Sequence, residues 1–291
     1  MTVKNRLFSV LLLISTILLS VTVMAESESE QDSVKRGEYI FALGGCASCH
    51  TNTEGDGKPL AGGLKMETPF GVFYTPNISS DSKLGIGSWS EQDFIKAMRK
   101  GISPEGDHYY PAFPYTSYAK MTDQDLLDLK AFLDVQPAVS ELSKEHELSF
   151  PFNQRSLMAI WKWLNFDNSE FKSNPKKSTS WNRGAYIVNG PSHCVECHTP
   201  RNLMGGLDTD EGLAGNEDGP DGEAVPALIA SNNKEFGDWD VSDIIFSLEV
   251  GMKPDGDFLG GSMGHVIENT TSRLSEEDLK AIAEYLKSPE G

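Results

Sequence analysis

The chain has 291 residues, with 43 acidic against 25 basic side chains and a formal net charge of −18 at pH 7. Such an acidic excess repels a polyphosphate backbone, so nucleic acid is excluded as a partner and a basic protein surface is favoured. The N-terminus reads as an export signal. Lys4 and Arg6 form a short basic region, Leu7 to Val23 is mostly apolar, and Val23-Met24-Ala25 precedes an acidic run from Glu26. Cleavage after Ala25 removes Lys4 and Arg6, taking the charge from −18 to about −20. An uncleaved N-terminal membrane anchor is the alternative, since the apolar stretch is nearly long enough to span a bilayer. No later stretch is apolar enough to do so, which predicts a soluble periplasmic protein in possible peripheral association with a membrane.

In chain order, the first predicted helix begins near Ser33 and runs into Cys46-Ala47-Ser48-Cys49-His50. Two thiols one helical turn apart, followed at once by His, form the attachment pattern of a c-type haem. The thiols reach the vinyl edge of one porphyrin as thioethers, and the imidazole is the proximal iron ligand. A Gly-, Asp- and Lys-containing stretch from Thr53 to Gly63 reads as a surface loop. Ser90 caps a second helix over Glu91 to Lys100, and Thr122 starts a third whose apolar stripe is Leu126, Leu129, Phe132 and Leu133. Residues 137–180 are too apolar to be a loose tether and predict a partly ordered linker in which Trp161 and Trp163 are packing groups.

The pattern then repeats. A helix from about Trp181 leads into Cys194-Val195-Glu196-Cys197-His198, and Asp208 to Gly222 reads as a second surface loop. Asp240 caps a helix over Val241 to Val250, and Ser275 starts a last helix with Leu279, Ile282, Tyr285 and Leu286 on one face. Arg36-Gly37-Glu38-Tyr39 matches Arg183-Gly184-Ala185-Tyr186, and Gly101 to Asp107 matches Gly251 to Asp257 at a constant offset of 150. The two motifs use all four cysteines and lie 148 residues apart, which fits neither a zinc ribbon nor a disulfide framework. The expectation is two covalently bound haem c groups held by Cys46, Cys49, His50, Cys194, Cys197 and His198. They would sit in duplicated units over 33–136 and 181–288, behind a signal peptide over 1–25.

Beyond the two motifs, the chain carries Ala61-Gly62-Gly63, Thr68-Pro69-Phe70-Gly71, Pro76-Asn77-Ile78, Tyr110-Pro111-Ala112-Phe113-Pro114-Tyr115, Pro151-Phe152-Asn153 and Cys197-His198-Thr199-Pro200-Arg201-Asn202. In these it resembles the diheme cytochrome c family related to the cytochrome subunits of membrane-bound alcohol and gluconate dehydrogenases. The resemblance implies a mostly α fold with two tandem class I cytochrome c domains. It implies a one-electron carrier, not an enzyme, passing electrons from a dehydrogenase donor to an oxidase or another cytochrome in the respiratory chain. The alternative is a diheme redox enzyme of peroxidase or thiosulfate dehydrogenase type that uses the first haem as its active site.

Methionine on the sixth iron position raises the reduction potential. Met263 lies in the small-residue stretch Gly260-Gly261-Ser262-Met263-Gly264, 11 positions before Leu274, where class I cytochromes c carry their ligand loop. Met252, Met204 and His265 are its alternatives. For the first haem, Phe113-Pro114 stands where many cytochromes have Met-Pro, so Met121 is the choice, with His108 or no protein ligand as alternatives.

Overall fold

The structure is a computed structural model that describes residues 30–53, 56–219 and 222–289. The signal-peptide and cleavage readings at 1–25 therefore fall outside the described residues. The fold is mostly helical, as expected. Helix α1 covers residues 30–43 and turns at 44–45 into α2, Cys46–His50. A hairpin that the sequence patterns do not announce follows, β1 (Lys65–Thr68) and β2 (Gly71–Tyr74), in which Met66 pairs with Phe73. Then come α3 (Glu91–Lys100), the short α4 (Tyr115–Tyr118) and α5 (Asp123–Asp134).

The start signal of α3 acts as the sequence suggests. The Asp93 N–H donates to Ser90 Oγ (3.2 Å) while the Ser90 N–H donates to Asp93 Oδ2 (3.1 Å), a reciprocal box that satisfies two orphan donors. Gly101 ends the helix with φ 58°, a left-handed conformation glycine adopts without steric cost. The second half repeats the device: Asp240 and Asp243 form the box on α10 (Val241–Val250), and Gly251 ends it.

Residues 137–180 contribute β3 (Glu147–Leu148), which adds to the hairpin beside β2, and α6 (Leu157–Asn165). Helix α6 is anchored by polar bonds. Lys162 Nζ donates to the carbonyls of Lys100 (2.6 Å) and Gly101 (2.7 Å) at the end of α3, and Trp161 Nε1 donates to Met204 O (2.7 Å). Of the two tryptophans expected to pack, only Trp161 does, at 7% exposed; Trp163 is 83% exposed. The anchors turn Trp161 and Lys162 inward, and the 3.6-residue repeat then leaves Leu157, Ile160, Trp163 and Leu164 on the solvent face.

The second half comprises α7 (Thr179–Asn189), α8 (Val195–His198), α9 (Lys234–Asp238), α10, α11 (Gly261–Asn269) and α12 (Glu276–Leu286), with a 3-10 turn over Thr271–Arg273. The stretches read as surface loops are partly internal, because Leu60 and Leu213 are core residues. The predicted stripes are buried, apart from Phe132, which packs at the edge of the core.

Each half is built on one helix crossing. A Cβ placed on Gly37 of α1 would overlap the carbonyl oxygen of Asp128 on α5 and lie 2.8 Å from Phe132 Cβ. At Gly184 of α7 the clash is with the carbonyl oxygen of Ala281 on α12, with Tyr285 Cβ at 2.9 Å. Ion pairs brace both crossings: Arg36 Nε to Asp128 Oδ2 at 2.6 Å, and Arg183 Nη2 to Asp278 Oδ2 at 2.7 Å.

The halves also cap each other. Tyr39 on α1 donates its hydroxyl to Asp278 Oδ2 (2.8 Å) and accepts from the Ser275 N–H (3.1 Å) at the start of α12. Reciprocally, Tyr186 on α7 donates to Asp125 and accepts from the Thr122 N–H (3.1 Å) at the start of α5. Each first helix thus supplies a phenol to the N-terminus of the other half's last helix.

Two outcomes test this account. Gly184→Val should destabilise the holoprotein by about 2 kcal/mol through overpacking. That is a fall of roughly 5 °C in the thermal midpoint followed by circular dichroism. Asp278 is pushed up by burial, but the Arg183 guanidinium and the Tyr39 hydroxyl outweigh that and hold it below its ordinary 3.8. Its contribution is therefore present above about 3.8 and lost as pH falls through the lower folded value. Asp278→Asn should cost about 2 kcal/mol at pH 7, with the gap to the parent closing in denaturant titrations run below pH 3.8.

Candidate haem attachment sites

Each Cys-x-x-Cys-His segment starts from a left-handed residue. Gly45, at φ 56°, precedes Cys46, and its Cβ would come 2.6 Å from Thr270 Oγ1 in the other half. The equivalent residue before Cys194 is His193, at φ 40°, an uncommon conformation for a residue with a side chain. Its ring lies edge-on to Tyr118, with centroids 5.7 Å apart, and its Nε2 is 3.3 Å from Gly44 O. The turn throws the chain from the end of α1 or α7 into a single helical turn that carries both thiols and the imidazole.

All four thiols are free. Burial pushes Cys46 and Cys194 up to about 12, which keeps them as neutral thiols, the form whose S–H adds across a vinyl group. The two histidines are set identically. His50 Nδ1 lies 2.8 Å from Pro76 O, and His198 Nδ1 lies 2.7 Å from Pro226 O. A carbonyl only accepts, so Nδ1 carries the proton and Nε2 keeps its lone pair for a metal. Burial also lowers both imidazoles, favouring the neutral form that can ligate.

Matched backbone bonds hold the two carbonyls in place. His50 O accepts from Gly62 N–H (2.8 Å) and Leu60 O from Ile78 N–H (2.9 Å); in the second half His198 O accepts from Gly215 N–H (2.8 Å) and Leu213 O from Leu228 N–H (2.9 Å). Gly62 has φ 72°, and a Cβ there would collide with the Pro76 carbonyl, so the orienting oxygen reaches His50 only beside a glycine. Pro76 stands in the sequence patterns without an assigned role, and Pro226 stands in none of them. The signal that could have found it is its offset of 150 from Pro76.

Among the described residues, no three His, Cys, Asp or Glu side chains converge on a site for a bare ion. The donor set of each segment is two thiols and one free imidazole nitrogen, which fits a porphyrin bound by two thioethers with an iron to ligate.

The segments adjoin. Ser192 Oγ donates to Leu43 O (2.8 Å), and Glu196, inside the second motif, accepts from Thr116 and from Ser117 Oγ (2.8 Å) on α4 of the first half. Arg201 pairs with the same carboxylate at 2.9 Å. Tyr118 is buried, and burial first, then the nearby Cys46, Cys49 and Glu196, raise its hydroxyl well above the ordinary value.

The methionine candidates occupy different settings. Met263 stands in the first turn of α11, half-buried, so the stretch read as a loop is helical from Gly261 onward. Met121 is 1% exposed in the core, just ahead of the Thr122 cap of α5. His108 pairs in a bridge with Ile102, and its Nδ1 is buried without a hydrogen-bond partner. Met204 is exposed, Met252 bridges to Phe258, and His265 is exposed on α11.

The cytochrome c family profile matches residues 34–136. A protein of Cereibacter sphaeroides named diheme cytochrome c-type is 46% identical over 87% of this chain and 84% of its own length. The gluconate 2-dehydrogenase cytochrome c subunit of Pantoea cypripedii is 37% identical over 93% of this chain and 62% of its own. The cytochrome c subunit of a quinone-dependent alcohol dehydrogenase from Gluconobacter oxydans is 35% identical over 91% of this chain and 57% of its own. The chain thus spans about three-fifths of the two dehydrogenase subunits. With two thioether-ready cysteines and an oriented histidine in each motif, the chain belongs to the cytochrome c family, alongside the diheme c-type cytochromes, and binds haem c covalently.

Proposed function

We propose that the protein is a periplasmic one-electron carrier holding two haems c in tandem domains, 33–136 and 181–288, joined by the ordered segment 137–180. The observation that carries this reading is the pair of matched His–Pro carbonyl cradles, in two halves whose motif lead-ins touch. A haem iron with a fixed proximal imidazole supplies a ferric–ferrous couple, and the protein contributes ligation, burial and spacing. Here the lead-in turn of each motif touches the other half, so the two groups would be near neighbours, with electrons passing between them inside one rigid core. His50 and His198 hold their orientation through Pro76 and Pro226 and do not need to move when the iron changes oxidation state.

Met263 is the sixth ligand of the second haem in this reading. The donor is a dehydrogenase and the acceptor another respiratory protein. Support for the donor lies in the names of the relatives, one a cytochrome c subunit of gluconate 2-dehydrogenase. The acidic surface, with a formal charge of −18, would steer a basic docking face.

Stopped-flow mixing of reduced holoprotein with a small basic cytochrome should show fast electron exchange. The rate should fall at least tenfold between roughly 10 and 300 mM salt, as the Debye length shrinks from about 30 to under 8 Å. Rates indifferent to salt would remove the steering argument, and sustained turnover of peroxide or thiosulfate by the protein alone would replace the carrier with an enzyme. Met263→Ala should lower one reduction potential by on the order of 100 mV, a fraction of the ~0.8 V that axial ligands span. It should also open that iron to carbon monoxide; a potentiometric titration with both potentials unmoved would assign the ligand elsewhere.

A further inference from the structure

From Gly101 to Asp107 the two halves keep a constant offset of 150, and the backbone follows it as far as Tyr109 and Leu259. Tyr109 N–H donates to Gly101 O (2.7 Å) as Leu259 N–H donates to Gly251 O (2.8 Å). Ser103 N–H donates to Asp107 O (2.8 Å) as Lys253 N–H donates to Asp257 O (2.7 Å). Four residues past Tyr109 and Leu259 the offset pairs Phe113 with Met263. Phenylalanine has no lone pair to give a metal.

Phe113 is also linked to the first motif through packed rings. Its ring packs against Tyr109, Tyr115 and Tyr118 with centroids 5.7, 6.3 and 5.6 Å away, and Tyr118 packs edge-on against His193, whose Nε2 lies 3.3 Å from Gly44 O at the lead-in to Cys46. The other candidates have structural duties. Met121 pairs with Leu274 at the offset of 153 that also relates Thr122 to Ser275, and both are core residues, 1% and 9% exposed. Met121 O is held by Arg99 Nη2 at 2.5 Å and its N–H by Tyr118 O at 3.0 Å, so a leucine would serve there as well. His108 pairs with Phe258. It is fixed in the bridge to Ile102, and its carbonyl accepts from Arg155 Nη1 (3.2 Å).

We propose that the first haem has no protein ligand on its sixth position, where Phe113 replaces the counterpart of Met263, and that this position takes a small uncharged diatomic ligand, carbon monoxide or nitric oxide. The cation that reaches these rings, Lys162 at 4.5 Å from the Tyr115 centroid, already donates to the Lys100 and Gly101 carbonyls, so it is not free to balance an anion and an uncharged ligand fits better. The inference rests on the reading that Met263 closes the second haem.

The test is spectroscopic and uses the intact holoprotein. Reduced protein titrated with carbon monoxide should bind one equivalent per two haems, and the ferric protein should show one low-spin and one high-spin haem by electron paramagnetic resonance. Phe113→Met should add a second methionine–iron charge-transfer band and weaken carbon monoxide binding at least tenfold. Met121→Leu and His108→Phe should leave the spectra of the parent unchanged. A parent protein with two low-spin haems that binds no carbon monoxide overturns the proposal. So does a low-spin signal lost in either the Met121 or the His108 variant. Both parent measurements stand even if Phe113→Met does not fold. Failure of the underlying reading looks different: the parent would bind two equivalents, or Met263→Ala would leave the charge-transfer band in place.

Discussion

The backbone contact at Gly37 and Gly184 is the constraint on which the rest of the molecule depends. Helices packed through side chains sit 8–10 Å apart. Here the absence of a Cβ lets α1 meet the carbonyl of Asp128, and α7 that of Ala281, at closer range. This contact fixes the position of the first helix of each half, and the Cys-x-x-Cys-His turn begins a few residues after that helix ends. The ion pairs Arg36–Asp128 and Arg183–Asp278 brace the same crossings from their polar edges. A rigid anchor at this point suits the proposed pair of haems, because a shift of either attachment turn would change their spacing.

The reciprocal tyrosines extend that rigidity from one half to both. Tyr39 and Tyr186 each occupy the N-terminus of the opposite last helix, where free backbone N–H groups need acceptors. Breaking the halves apart would therefore uncap α5 and α12 as well as expose apolar surface. Asp278 binds both the guanidinium of its own half and the phenol of the other, which links the folding of one half to the docking of both. Glu196 does the same from inside the second motif, bound by Thr116 and Ser117 across the junction and by Arg201 within its own half.

The segment between the halves is held by a different kind of contact. Lys162 is buried with its ammonium on two carbonyls at the end of α3 and 4.5 Å from the centroid of the Tyr115 ring. Those acceptors and the helix C-terminus favour a cation, yet burial still lowers the group to about 8. Turning this lysine inward is what leaves the apolar side chains of α6 facing solvent.

Much of this protein is legible in its residues. Haem attachment follows from five-residue patterns because the chemistry of two thioethers and one imidazole requires that spacing. The helices over Glu91–Lys100 and Val241–Val250 follow from capping boxes and closing glycines, which act within a few residues of the chain. The addition of β3 to the β1–β2 hairpin, the helical state of Gly261–Asn269 and the exposure of Trp163 do not follow, since the pairing of β2 with β3, small-residue helices and the outward face of α6 depend on distant partners. The atoms proposed to bind the porphyrin can be read directly from the chain because they are neighbours along it. That the Pro76 and Pro226 carbonyls orient the two histidines, and that the lead-ins to the two motifs touch, emerges only once the chain is folded. Those relations join residues 26 to about 150 positions apart, and long-range packing, not local propensity, brings them together.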